Sequence, residues 1–330
     1  MLKYAVVFAG QGSQKPGMGK SLYEASPAAR AVFDMAGEEI KRDCFEADAE
    51  WLKQTEVTQP AVYTMDMAAY AALREKLGVD AGDFAEPSCV AGFSLGEFAA
   101  YTAAGVIGSL ENGIALVKER SLLMKASGTA EDGTQRGTMA AGMGDRDNVL
   151  GLVEKARGEG VLEAVNFNSP QQTVVAGDIA AIERFTALAA GDRSLGVKAI
   201  SLPVSGAFHS PLMRPAGEGL AEVLRDFSFS EPSLPVFLNV TGGTYEDYAK
   251  TAVGATNSKV RAIMVCQIQS PVFWQQIIEA MVSGGIEAIV EVGPGKTLTG
   301  LTKKIAPGTT ALHVEDIESL LGTAECVKGG

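Results

Sequence analysis

One stretch of the sequence, residues 88–100, strongly restricts the fold. The short apolar run SCVAGF leads directly into a Gly-x-Ser-x-Gly pattern centred on Ser94, and a helix-forming stretch of small residues follows. This order predicts a buried strand, a tight turn that holds Ser94, and a helix. Such a turn strains the serine backbone, and the helix N-terminus places amide N–H groups beside the hydroxyl. The stretch indicates an α/β fold with Ser94 as a candidate nucleophile, although a glycine turn with a capping serine is an alternative.

The rest of the pattern predicts two domains. Residues 138–202 show the order strand, helix, strand, strand, helix, strand, which is typical of a ferredoxin-like unit. On both sides of this unit the pattern is that of an α/β domain. Strands are predicted there at 4–8, 88–93, 236–240, 287–292 and 309–314, and helices at 21–40, 61–77, 110–126, 273–283 and 298–305. We therefore predict a large discontinuous α/β domain at 1–130 and 205–330, with a small inserted domain at 137–204.

Charge and cysteine content exclude several classes of function. Lys plus Arg total 28 against 40 for Asp plus Glu, so the net charge is −12 and we expect no nucleic acid partner. The N-terminal apolar run is too short for a signal peptide or a membrane span, which favours a cytoplasmic protein without a membrane partner. Four scattered cysteines and two histidines support neither a disulfide frame nor a metal site. Because no amphipathic or heptad segment is left unassigned, we expect a monomer.

A serine nucleophile needs a base, and the sequence offers only two histidines. His209 lies in the small-residue, proline-terminated segment SGAFHSP near the predicted domain crossing, where functional loops tend to lie. His313 lies in an apolar strand near the end of the chain, where a histidine is more often structural. We therefore favour His209 as the base.

Two glycine-rich segments lack the glycines that nucleotide-binding motifs require. GPGKT at 293–297 would need a glycine at Val290 for a phosphate-binding loop. Gly10-Gln11-Gly12 would need a glycine at Lys15 for a dinucleotide fingerprint. We expect no cofactor. The turn at Gln11 either brings a donor towards Ser94 at the carboxyl edge of the sheet or is a simple polar loop.

Arg120 is the one candidate for substrate recognition that stands out by its chemistry. It lies in a predicted helix whose other positions are largely apolar. A cation on such a helix is often solvated, with its stem covering apolar surface. If Arg120 points into the cleft instead, its planar guanidinium is suited to a bidentate pair with a carboxylate. The substrate would then be an acid.

Seven segments, in order, resemble the malonyl-CoA:acyl carrier protein transacylases and the acyltransferase domains of fatty-acid and polyketide synthases. They are FAGQGSQKPGMG (8–19), GFSLGEFAA (92–100), KERSLLM (118–124), NFNSPQQTVVAG (166–177), GAFHSPLM (206–213), QIQSPVFW (267–274) and EVGPGKTLTGL (291–301). The resemblance covers nearly the whole chain. It implies a hydrolase-like α/β domain with a ferredoxin-like insert, and transfer of malonyl from malonyl-CoA to the phosphopantetheine thiol of acyl carrier protein. It fits both fatty-acid and polyketide synthesis, and we favour the former.

The resemblance also implies catalytic roles. Ser94 would carry the malonyl ester, and His209 would be its base without a carboxylate partner. A backbone carbonyl near Gln267 would orient the imidazole. The backbone N–H groups of Gln11 and Leu95 would form the oxyanion hole.

Further residues would bind the substrate. Arg120 would pair with the malonyl carboxylate, and Gln267 and Asn168 would also belong to the substrate site. Phe208 would fill the space that a 2-methyl group needs and so favour malonyl over methylmalonyl. The chain departs from many relatives at Phe93, where they carry histidine, and we expect this change to alter only the packing of the pocket.

Two other functions are compatible with parts of the sequence. A serine hydrolase or thioesterase uses the same turn, but its histidine comes late in the chain, which would require His313. An acyl-CoA-binding module with an inactive site is the second alternative. The combination of Ser94, His209 and Arg120 argues against that module.

Overall fold

The computed structural model describes residues 2–329. Within these residues the strands are β1 (Tyr4–Phe8), β2 (Cys89–Gly92), β3 (Gly137–Met143), β4 (Leu162–Ser169), β5 (Gln172–Asp178), β6 (Lys198–Ser201), β7 (Val236–Phe237), β8 (Ala288–Val292) and β9 (Thr310–Val314). The α-helices are α1 (Lys20–Ala25), α2 (Pro27–Ala36), α3 (Glu38–Phe45), α4 (Thr55–Leu77), α5 (Gly96–Ala103), α6 (Leu110–Gly128), α7 (Arg146–Arg157), α8 (Ile179–Gly191), α9 (Arg214–Val223), α10 (Tyr245–Thr251), α11 (Thr256–Ile268), α12 (Trp274–Ser283), α13 (Thr297–Ile305) and α14 (Ile317–Gly329).

The strands form two sheets of different type. The larger sheet is parallel, with the strand order β7-β2-β1-β8-β9, and its central strand β1 is buried along its whole length. The smaller sheet is antiparallel, with the order β4-β5-β3-β6, which is the ferredoxin-like arrangement. The predicted fold class is confirmed. The proposed domain boundaries at 1–130, 137–204 and 205–330 stay a prediction, which the separation of the two sheets supports.

The carboxyl edge of the parallel sheet positions the candidate residues. The Gly10-Gln11 turn follows β1, and the Ser94 turn follows the neighbouring strand β2. In open α/β sheets this edge is where ligands usually bind. No helix within residues 2–329 has the length and apolar character needed to cross a bilayer.

Three predicted elements differ from the structure. The helix predicted at 61–77 is α4, which already begins at Thr55. The helix predicted at 21–40 is three helices, because Ser26 caps α2 by accepting a hydrogen bond from the Ala29 N–H, Pro27 begins α2, and Gly37 ends it with a φ of 92°. The strand predicted at 236–240 contains only Val236–Phe237. The residues after Phe237 leave the sheet, and one of them, Asn239, contacts the Ser94 turn.

Candidate active site

The turn between β2 and α5 brings Ser94 to the sheet edge in a strained conformation. Ser94 has a φ of 53°, in the left-handed region that non-glycine residues rarely adopt. A Cβ added at Gly92 would lie 1.9 Å from the Gly96 carbonyl oxygen, and one added at Gly96 would lie 2.3 Å from the Phe8 carbonyl oxygen. The two glycines of the motif are therefore required because the chain approaches itself too closely for any side chain.

His209 contacts the Ser94 hydroxyl directly. Its Nε2 atom lies 2.7 Å from Ser94 Oγ, and its Nδ1 atom lies 2.9 Å from the Gln267 carbonyl oxygen. Since that carbonyl can only accept, it fixes the tautomer in which Nδ1 carries the proton and Nε2 is free to accept the Ser94 proton. Burial, and then the nearby charge of Arg120, lower the pKa of His209 to about 4. The imidazole is therefore neutral at pH 7, as a base must be.

His313 lies elsewhere. It is in β9, and the strands β8 and β1 separate β9 from β2, at whose end Ser94 lies. Its Nε2 atom lies 3.8 Å from Glu315 Oε1. The late-histidine arrangement of a serine hydrolase is therefore not assembled around Ser94.

Arg120 points inward from α6 and is almost fully buried, with 1% of its surface exposed. One guanidinium nitrogen donates to Gln59 Oε1 at 2.7 Å. The other donates to Gln267 Oε1 at 3.2 Å and lies 3.3 Å from Ser94 Oγ. Burial lowers the pKa of Arg120 to about 10, so the group is still a cation at pH 7. Arg120 thus presents a positive charge beside the candidate nucleophile and is not a solvated helix cation.

Two backbone donors next to Ser94 are free. Within residues 2–329 neither the Gln11 N–H nor the Leu95 N–H donates a hydrogen bond to another residue. Gly10 packs against the Phe93 carbonyl, since a Cβ there would lie 2.5 Å from that oxygen, so the Gln11 turn lies beside the Ser94 turn. The N–H of Ser94 itself is taken by Asn239 Oδ1 at 2.7 Å. Gln11 and Leu95 are therefore the available pair for an oxyanion, and this role stays a prediction.

A cavity of about 460 Å³ lies beside the Ser94 turn, between the two sheets. Gln11 and Phe93 line it from the large domain, and Asn166, Asn168 and Leu202 line it from the small one. The Oδ1 atoms of Asn166 and Asn168 have no hydrogen-bond partner within residues 2–329. Both oxygen atoms are buried, and the cavity combines apolar walls with a few polar side chains, as small-molecule sites commonly do.

Phe208 and Phe93 both pack within the protein near the Ser94 turn and His209. Phe208 is buried directly before His209, and a Cβ added at Gly206 would lie 3.2 Å from its ring. Phe93 packs edge-on against Trp274, with ring centroids 5.4 Å apart. Phe93 makes none of the contacts that hold the imidazole, which supports a packing role.

Three residues of the site were missed by the sequence analysis. The Asn239 side chain holds the turn through two hydrogen bonds. Its Oδ1 atom accepts from the Ser94 N–H at 2.7 Å, and its Nδ2 atom donates to the Gly92 carbonyl oxygen at 2.7 Å. Gln59 and Glu97 are fully buried polar residues on apolar helices. A buried polar residue on an apolar helix is the signal that could have identified these two. For Asn239 no local signal exists.

No cluster of three or more His, Cys, Asp or Glu side chains suited to a metal ion occurs within residues 2–329.

Comparison with known proteins identifies relatives along the whole chain. The family model "Acyl transferase domain" matches residues 5–320. The malonyl CoA-acyl carrier protein transacylase of Haemophilus influenzae is 36% identical, over 98% of this chain and 99% of the relative. The crystal structure of the corresponding transacylase from Clostridium perfringens has a TM-score of 0.87 and 33% identity, over 99% of this chain and 98% of that one.

A solved complex of a type II PKS acyl-carrier protein with its malonyl-transacylase is also similar, with a TM-score of 0.86, 33% identity, and coverage of 98% of this chain and 99% of that one. Sequence and fold thus agree over nearly the full length of both the relatives and this chain. The chain belongs to the acyl transferase family, together with the malonyl CoA-acyl carrier protein transacylases, as its motifs predicted.

Proposed function

We propose that this acyltransferase moves a malonyl group from malonyl-CoA to the phosphopantetheine thiol of an acyl carrier protein, through a malonyl ester on Ser94. The observation that carries the proposal is the position of the buried Arg120 guanidinium, 3.3 Å from the Ser94 hydroxyl oxygen that His209 also contacts. A cation in that place recognises an acyl group that ends in a carboxylate. The names of the relatives, which are transacylases for malonyl CoA and acyl carrier protein, support the same conclusion.

The first half of the reaction forms the ester. His209 Nε2 accepts the Ser94 proton, Ser94 Oγ attacks the thioester carbonyl, and the oxyanion accepts hydrogen bonds from the Gln11 and Leu95 N–H groups. The C–S bond then breaks, and His209 returns the proton to the leaving thiol. The Gln267 carbonyl stabilises the imidazolium formed in between, in place of a carboxylate.

The second half reverses these steps with another thiol. The phosphopantetheine arm of the carrier would enter the cavity between the sheets, which Asn168 lines. His209 removes the proton from the arriving thiol, and the thiolate attacks the ester carbonyl. The ester C–O bond then breaks, and His209 returns the proton to Ser94 Oγ. The same residues therefore serve both halves of a ping-pong transfer.

Recognition of malonyl depends on the groups that hold Arg120. The side-chain oxygens of Gln59 and Gln267 fix the guanidinium, and the Gln267 amide nitrogen donates to the Ser94 carbonyl at 2.7 Å. Gln267 thus connects the Arg120 guanidinium with the turn that contains Ser94. A planar guanidinium held in this way is suited to a carboxylate at a defined distance from the reacting carbon.

We also propose that the protein acts as a cytoplasmic monomer in fatty-acid synthesis, with no nucleic acid or membrane partner. The net charge of −12 supports the exclusion of nucleic acid. The relatives' names support malonyl-CoA and acyl carrier protein as the partners.

Intact-protein mass spectrometry after mixing with malonyl-CoA tests the proposal. We expect a malonyl adduct on the wild type and none on Ser94→Ala, because only the Ser94 hydroxyl can form the ester. Adding holo acyl carrier protein should remove the adduct and produce malonyl carrier. Rapid hydrolysis of the adduct by water without a carrier would instead indicate a thioesterase. The absence of any adduct would indicate a binding module.

Replacing Phe208 with serine is expected to raise the use of methylmalonyl-CoA relative to malonyl-CoA. A methyl group in a pocket is worth about 1 to 3 kcal/mol, and the smaller side chain removes the steric conflict. The ratio of kcat/KM for the two substrates should therefore shift by about tenfold or more towards methylmalonyl. An unchanged ratio in a folded variant would mean that the 2-methyl group points away from Phe208.

A further inference from the structure

Glu97 is a fully buried carboxylate directly behind the Ser94 turn. One oxygen accepts a hydrogen bond from the Tyr101 hydroxyl at 2.6 Å, and the other accepts from the Asn239 N–H at 2.8 Å. Asn239 in turn binds the Ser94 N–H through its side chain. Glu97 lies in the same buried site as Arg120, and the mechanism above gives it no part.

The charges of Glu97 and Arg120 balance in the unacylated enzyme. The hydrogen bonds of Arg120 within residues 2–329 all go to neutral oxygen atoms, those of Gln59, Ser94 and Gln267. A buried cation needs a compensating negative charge, and Glu97 is the carboxylate whose charge acts on Arg120. One buried cation and one buried carboxylate are therefore both joined to Ser94, Arg120 through the hydroxyl oxygen and Glu97 through Asn239 and the Ser94 N–H.

Binding of a malonyl group adds a second negative charge to this site. The inference rests on the proposed function, in which malonyl is the acyl group transferred. The malonyl carboxylate would pair with Arg120, so that two carboxylates would share one buried cation. Two like charges in a buried site cannot both remain ionised without a large penalty, and the less well compensated group takes up a proton. The malonyl carboxylate holds the direct contact with Arg120, whereas Glu97 is bound by a phenol and a backbone amide.

We propose that Glu97 is the counter-charge of Arg120 in the unacylated enzyme and takes up one proton when a malonyl carboxylate pairs with Arg120. Glu97 thereby keeps the net charge of the buried site constant through the reaction cycle. Its release of that proton, when malonyl leaves on the carrier, restores the starting state.

The groups around Glu97 allow this change of protonation near neutral pH. Burial raises the pKa of Glu97 to about 7, against the opposing effects of Tyr101, Asn239, Gln267 and the Arg120 charge. Tyr101 shares helix α5 with Glu97, Arg120 comes from α6, and Gln267 comes from α11. The pKa of the Tyr101 phenol is raised well above its usual range, so it remains a neutral donor or acceptor. When a malonyl carboxylate neutralises Arg120, the pKa of Glu97 therefore rises and Glu97 takes up a proton.

The proton and bond changes balance. The Ser94 O–H proton passes through His209 to the leaving thiol, the ester C–O bond forms and the thioester C–S bond breaks. The additional proton comes from water and binds to a Glu97 oxygen. The Tyr101 hydroxyl can then turn to accept from the new O–H group, while the other oxygen still accepts from Asn239.

Proton uptake during formation of the malonyl ester tests the inference. Wild type, Glu97→Gln and the control Asp66→Asn are mixed with malonyl-CoA at about pH 7.5 in weak buffer with an indicator dye, and ester formation is quantified by intact mass. Glutamine reproduces the protonated carboxyl, because its oxygen accepts from Asn239 and its amide donates to Tyr101. Asp66 is also a fully buried acid with a raised pKa, and its side-chain oxygens have no hydrogen-bond partner within residues 2–329.

We expect roughly half to one proton to be taken up per malonyl ester in the wild type and in Asp66→Asn, and none in Glu97→Gln. Thiol release contributes equally in all three proteins and cancels in the comparison. The KM for malonyl-CoA should rise with pH above about 7 in the wild type, by up to about tenfold per pH unit, because the bound state holds more protons than the free state. In Glu97→Gln that KM should be independent of pH over the same range.

Ester formation in the wild type without proton uptake would overturn the inference, as would undiminished uptake in Glu97→Gln. Proton uptake by the wild type can also be compared after mixing with malonyl-CoA and after mixing with coenzyme A alone. This comparison needs no variant, so the test can be made even if Glu97→Gln does not fold. If no ester forms on the wild type, the proposed function fails and this inference fails with it. Ester formation without uptake contradicts the role of Glu97 alone.

Discussion

Replacement of His209 with alanine is expected to reduce kcat for malonyl transfer by about 10²- to 10⁴-fold, the range typical for loss of a general base. The reason is geometric, because His209 Nε2 is 2.7 Å from Ser94 Oγ and is held in the right tautomer by the Gln267 carbonyl. Without it, the Ser94 hydroxyl remains protonated and is a weak nucleophile. The measurement is the steady-state rate of malonyl transfer to holo carrier protein, with folding checked by circular dichroism.

His313→Ala is the matched control, since it removes the other histidine of the chain. It should leave transfer nearly unchanged, because His313 lies in β9 beside Glu315. The opposite result, with a silent His209→Ala and an inactive but folded His313→Ala, would refute the proposed dyad. The wild-type kcat at saturating malonyl-CoA should decline at acidic pH, because the lowered pKa of His209, about 4, keeps the imidazole unprotonated above that value.

Replacement of Arg120 with alanine is expected to lower the preference for malonyl over acetyl by about tenfold to a hundredfold. A charge-assisted hydrogen bond to the malonyl carboxylate is worth about 1.5 to 3 kcal/mol, and acetyl-CoA leaves the buried cation without such a partner. Arg120→Ala removes both effects, so malonyl transfer should fall strongly while acetyl transfer falls less or rises. The quantity to measure is the ratio of kcat/KM for malonyl-CoA and acetyl-CoA.

Arg120→Lys separates charge from geometry. Lysine keeps the charge but cannot satisfy Gln59, Gln267 and a carboxylate together with one planar group. It should therefore recover little of the malonyl preference. Equal losses for both substrates in Arg120→Ala would show that Arg120 only supports the structure around Ser94.

The fold could be predicted from the sequence because its signals are local. The apolar runs mark the strands of both sheets, and strand order in the small sheet follows from the sequence of elements. The continuous helix predicted at 21–40 was wrong because apolar spacing continues through Ser26-Pro27 and Gly37, whose capping chemistry overrides it.

The site was only partly predictable. The pattern around Ser94 and the segment around His209 pointed to both residues, but their 2.7 Å contact spans 115 positions in the chain. Spacing alone did not decide whether Arg120 faces solvent or the cleft. The hydrogen bond between Asn239 and Glu97 joins residues 142 positions apart, so the sequence around Asn239 contains no local pattern that predicts it. Such contacts depend on tertiary packing.

Within residues 2–329, Ser94 and His209 are the only non-glycine residues with a left-handed backbone conformation. Each such residue costs of order 1 kcal/mol or more relative to a relaxed conformation. At these two positions glycine would increase thermal stability, whereas turnover requires the serine and histidine side chains. A screen for thermostable variants that ignored activity would favour glycine there and would remove both reacting side chains. Engineering of this protein for stability should hold the two positions constant and seek improvement elsewhere, with transfer to the carrier measured in every round.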